Sequence, residues 1–138
     1  MIRKDFISKY IEELGKSMAR LIAYEIGDED DNFIFHFNEM LRSYYRLDDN
    51  ELATLLIADE DRDQFLLSDE LKKASIRTYL KAARVYLTIG QTEKAVLSFK
   101  IVERIQSVNS GIFQFPTEED AIIAAEYKTV KEQLNSFV

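Results

Sequence analysis

Residues 71–107, LKKASIRTYLKAARVYLTIGQTEKAVLSFKIVERIQS, decide the fold of this chain. Tyr79, Ala82, Ala83, Tyr86 and Ile89 recur at three- and four-residue steps, the spacing that lines one helix face. After Gly90-Gln91-Thr92 the pattern resumes with Ala95, Phe99, Val102 and Ile105 or Gln106, so two helices fold back on each other across that turn. Gly90 is expected to take the left-handed conformation that ends the first helix, and Thr92 to be the N-cap of the second. Small Ala83 and Ala95 let the two backbones approach, with Tyr86 and Phe99 filling the space beside them.

Tyr79, Ala83, Tyr86, Gly90, Ala95 and Phe99 also stand where a tetratricopeptide repeat carries its aromatic and small residues. The stretch resembles that repeat, a helix–turn–helix of about 34 residues. It departs from the repeat at Ala82, where leucine is usual, at Val102 (alanine) and at Ser107 (proline). One good copy is present, and an ordinary antiparallel helix pair would need only the apolar periodicity. The resemblance implies a helical scaffold whose first helices line a groove for a protein or peptide.

The rest of the 138 residues fits one all-α domain of six or seven helices, a short tetratricopeptide-like stack spanning 1–138. One proline and four glycines favour helices over sheet and loop. With no cysteine, disulfides and Cys-based zinc sites are excluded and no oxidising compartment is needed. No run approaches the roughly 20 apolar residues of a membrane helix, and no signal-peptide core follows Met1, so a cytoplasmic location is expected. Eighteen Lys and Arg against 25 Asp and Glu leave a net charge of −7, which opposes nucleic-acid binding.

Lys4 to Ile26 reads as one amphipathic helix. Ile7, Ile11, Leu14, Met18, Leu21 and Ile22 form its stripe, and Phe6 and Tyr10 broaden it. Such a face must be covered, by the body of the chain or by a second copy in a homodimer. The opening Met-Ile-Arg-Lys-Asp-Phe-Ile, followed by Ile11-Glu12-Glu13, resembles the start of a family of small bacterial helical proteins of unassigned activity.

Gly27 to Asn32 ends that helix, and Asn32 or Asp31 is expected to cap the next. Phe33, Phe35 and Phe37 alternate like a strand, but Phe37, Met40, Leu41, Tyr44 and Tyr45 continue at helical spacing to about Arg46. Asp48 or Asp49 caps a shorter helix with Leu52, Leu55, Leu56 and Ile57, and Ser68 is expected to cap the long helix of the central pair. Ile112 to Pro116 reads as extended. Thr117 with Asp120 imitates a capping box and starts a terminal helix over 117–137, whose stripe is Ile123, Tyr127, Val130, Leu134 and Phe137.

Catalytic and cofactor signatures are absent. His36 is the single histidine, and Phe35 and Phe37 beside it suit packing better than catalysis. No two glycines lie close enough for a phosphate loop. Asp59, Asp61, Asp63 and Glu70 fall at calcium-ligand positions of an EF-hand. However, Gln64 occupies the glycine position, and Leu67 stands where a polar residue is usual. The stretch reads as a solvated acidic connector, with no metal.

Lys73, Arg77, Lys81, Arg84 and Thr88 share one face of the first repeat helix. By resemblance this is the groove side, where some tetratricopeptide proteins use basic residues to clamp a partner's carboxylate. These five residues are therefore the candidate partner-binding groove, for an acidic segment or chain-terminal carboxylate. A merely solvated cationic face is the competing reading, and a small helical enzyme or metal-dependent regulator built on the Asp and Glu clusters is the alternative function.

Overall fold

Apolar periodicity becomes six α-helices and one 3-10 segment in a computed structural model, which describes the backbone of residues 4–108 and 117–136 and side chains from Ile7 onward. The expectations for Phe6, the extended 112–116 stretch and Phe137 lie outside the described residues. The helices are α1 (Lys4–Ala23), α2 (Asp30–Tyr45), α3 (Glu60–Leu66), α4 (Lys72–Thr88), α5 (Thr92–Ser107) and α6 (Glu118–Asn135). The 3-10 segment, Asp49–Leu56, lies between α2 and α3. Among the described residues there is no strand, so the Phe33–Phe37 alternation belongs to a helix. No helix among them is long and apolar enough to cross a membrane.

The centre is the α4–α5 pair. Tyr79, Ala82, Ala83, Val85 and Tyr86 of α4 and Ala95, Ile101, Val102 and Ile105 of α5 are almost completely shielded. The turn between the helices is built as the glycine requires. Gly90 has φ +82°, the Gln91 amide donates to the Tyr86 carbonyl at 2.8 Å, and the Gly90 amide donates to Leu87 at 3.2 Å. These are the two bonds of a Schellman motif. The motif uses Gln91 as its last residue, so Gln91 is also the residue before α5, and Thr92 is the first helical residue rather than the N-cap. Ile89, expected on the buried stripe, is 40% exposed because it is the C-cap.

Helix α1 packs on α2 and α4 through buried Leu14, Met18 and Leu21. It ends at Ala23, three residues before the expected end. The next helix starts at Asp30, ahead of both expected caps, because the Asp30 carboxylate turns back to accept the Gly27 amide at 2.7 Å. In α2, Phe33 stacks on Phe37, and Phe37 meets Tyr79 and Tyr86 of α4 edge-on, at 5.6 and 6.2 Å between ring centres. Edge-to-face rings of this kind add to the stabilisation from burial alone.

Asp48 rather than Asp49 caps the 3-10 segment, in a capping box with Glu51. Leu52 and Leu55 of that segment are buried, whereas Ile57 beyond it is exposed. Residues 59–66 are not a loop. Asp59 accepts the Arg62 amide at 2.9 Å and starts α3, which carries Phe65 and Leu66 into the core. Acids in its first turn suit the positive end of the helix. Ser68 does not cap α4. Its carbonyl accepts the Leu71 amide in a turn at 3.2 Å, and buried Leu71 leads directly into α4.

Candidate functional site

The cationic face of α4 lies between the C-terminal end of α1 and helix α6. The start of α6 is local chemistry: Thr117 and Asp120 form the capping box, with Glu118, Glu119 and Asp120 in the first turn. Acidic groups there are stabilised by the helix dipole. That same turn carries its carboxylates to α4. Lys73 Nζ lies 3.2 Å from Asp120 Oδ1 and 3.2 Å from Thr117 Oγ1. Arg77 donates to Glu119 Oε2 at 3.4 Å, and its Nε stands 3.6 Å from Glu126 Oε1, an ion pair too long for a hydrogen bond.

Farther along α4 the setting changes. Lys81 Nζ donates to the Ile22 carbonyl in the last turn of α1, where a cation suits the negative helix end. Desolvation lowers the Lys81 pKa, and Glu126 acts in the opposite direction. Arg84 has no carboxylate partner among the described residues, and the Thr88 hydroxyl donates back to the Arg84 carbonyl at 2.9 Å. Thus Lys73 and Arg77 are engaged by α6, Lys81 by α1, and Arg84 is left half-buried and unpaired.

Asp120 shows the same linkage in its acidity. The Thr117 amide, then the Lys73 hydrogen bond, hold its carboxyl below the ordinary aspartate value. These pairs are partly open to solvent, with Asp120 and Glu119 side chains 38% and 43% exposed. Such part-exposed pairs are screened by solvent and contribute little each. Apolar support for α6 is thin: Ile123 and Val130 are its buried residues, with Tyr127 and Leu134 partly buried. Tyr127 stacks on Phe99 with ring centres 4.9 Å apart, so Phe99 packs against α6, while Tyr86 packs against Phe37.

The acidic 59–70 stretch has other duties. Asp63 receives two hydrogen bonds from Arg104 of α5, at 2.9 and 2.8 Å, and these bonds are the main reason its carboxyl is held below the usual range. Arg104 also donates to the Leu55 carbonyl at 3.0 Å, tying α5 to the 3-10 segment and α3. The sequence shows no sign of this clasp, because its two charges are 41 residues apart. Among the described residues no group of three or more His, Cys, Asp or Glu is arranged to hold a metal. His36 is half-buried and stacks on Tyr24 at 6.0 Å.

No protein-family model, curated protein or solved structure matches this chain.

Proposed function

We propose that the chain is a non-enzymatic cytoplasmic scaffold of tetratricopeptide type, whose α4 face binds an acidic helical segment of a protein partner. The observation that supports this reading is that α4 already holds such a segment. Helix α6 carries five acids against two lysines, and three of those acids reach Lys73 and Arg77. Cations that pair with Asp120, Glu119 and Glu126 are equally suited to a partner's carboxylates, with arginine providing the forked donor.

In this reading α6 is the resident occupant, and a partner of like chemistry binds by taking its place. Half-buried, unpaired Arg84 extends the cationic row beyond α6 and offers a first foothold. Few buried residues hold α6, so its exchange for a partner costs far less than unfolding the chain.

The test is a titration of the full chain with a labelled peptide of the α6 sequence, EEDAIIAAEYKTVKEQLN. Weak, salt-sensitive binding is expected. The double variant Glu119→Gln with Glu126→Gln weakens the resident helix and should raise peptide affinity about tenfold, equivalent to about 1.4 kcal/mol. Arg77→Ala with Arg84→Ala should lower it. A peptide that binds none of the three proteins contradicts the proposal.

A further inference from the structure

The charge pairs between α4 and α6 fix a register, and that register leaves one cation over. Both helices run in the same direction: Lys73 meets Asp120 near the two N-terminal ends, and Arg77 meets Glu126 farther along both. Seven residues make about two turns, so a pair between parallel helices recurs seven residues later on each. Arg77 stands between Glu119 and Glu126, which are themselves one such step apart on α6. The same step takes Arg77 to Arg84 and Glu126 to Gln133. Arg84 therefore comes level with Glu126 and Gln133, as Arg77 does with Glu119 and Glu126.

Of these two, Glu126 is already engaged. It stands 3.6 Å from the Arg77 Nε, and it acts against the desolvation that lowers the Lys81 pKa. Gln133 is neutral and exposed, and Arg84 is half-buried without a carboxylate partner among the described residues. A carboxylate holds a guanidinium more strongly than an amide does. The resident helix thus supplies acids at two steps of a row of cations that can take three.

We propose that this face selects a partner helix lying parallel to α4 with acids at three successive seven-residue steps, the third level with Gln133 and paired with Arg84. The selection presupposes the exchange of α6 proposed above. It also gives that exchange a direction, because Gln133 keeps the resident helix the weaker occupant. The partner still needs apolar residues where α6 has Ile123, Tyr127, Val130 and Leu134, which are its buried and partly buried positions.

The test compares two labelled 18-residue peptides on the full chain by fluorescence anisotropy: the α6 sequence, and the same sequence with Gln133→Glu. The changed peptide should bind about threefold more tightly, the effect of one part-exposed ion pair, and added salt should narrow the difference. On the Arg84→Gln chain the gain should disappear. The last turn of α6 holds no basic residue, so an added acid there meets only the negative end of its own helix. Within the chain itself, Gln133→Glu should slow amide exchange at residues 130–135, and adding Arg84→Gln should undo the change. Equal binding of the two peptides, a gain that survives Arg84→Gln, or unchanged exchange overturns the third-acid preference while the exchange of α6 stands. Binding of neither peptide overturns both.

Discussion

Helices α4 and α6 lie side by side and are held by opposite means. Helix α4 buries nine of its 17 residues, whereas α6 buries two of its 18 and meets α4 through charge. Burial of apolar area is strong and indifferent to salt, while part-exposed ion pairs are weak and screened. The same α4 thus presents a core face that specifies the fold and a polar face that α6 meets through ion pairs. The proposed exchange of α6 rests on this separation of the two faces.

The largest expected effect lies on the core side. Phe37→Ala removes the ring that joins α2 to Tyr79 and Tyr86, and should lower unfolding free energy by about 4 kcal/mol in urea. Phe99→Ala should cost about 3 kcal/mol, because that ring is at the rim and stacks on Tyr127. If Phe99→Ala left urea unfolding unchanged, the Phe99 ring would not be part of the stabilising core.

Next comes the Arg104–Asp63 clasp, an ion pair with its side chains 19% exposed on both partners. Asp63→Asn should cost about 2 kcal/mol. The folded-state carboxyl is held below its ordinary value, so its contribution is present at neutral pH. It is lost as pH falls through the lowered folded pKa. Urea midpoints measured against pH should therefore fall steeply in acid for the parent and less steeply for Asp63→Asn. Identical pH profiles would remove the clasp from the acid response.

Smaller effects belong to α6. Thr117→Ala takes away the capping hydroxyl and should cost the helix about 1 kcal/mol, seen as faster amide exchange across α6 with little change in α4 and α5. Lys73→Ala should lower stability only slightly, and less still at high salt. A large loss from Lys73→Ala would contradict the view that charge holds α6 only lightly.

What was legible in the sequence follows the range of the interactions. The α4–α5 pair and its glycine turn could be read because helical periodicity and a left-handed glycine are local signals. Thr117 with Asp120 was legible for the same reason. Cap positions were less so: Thr92 and Ser68 have the right side chains, but a Schellman turn and the buried Leu71 set the helix starts instead. The acidic stretch at 59–63 read as solvated because nothing near it in sequence marks Arg104 as its partner. The cationic row on α4 was visible; that α6 folds back onto Lys73 and Arg77 was not, since complementary charge on two distant helices has no periodic signature.

The most direct measurement is hydrogen exchange on the full chain with and without a saturating acidic peptide of the α6 sequence. If the α4 face exchanges its occupant, amides of residues 118–135 lose protection when peptide is present, while those of α4 and α5 keep theirs. Salt alone should shift α6 exchange in the same direction. Unchanged protection of α6 at saturating peptide would contradict the exchangeable face and leave the cations of α4 as purely structural partners of α6.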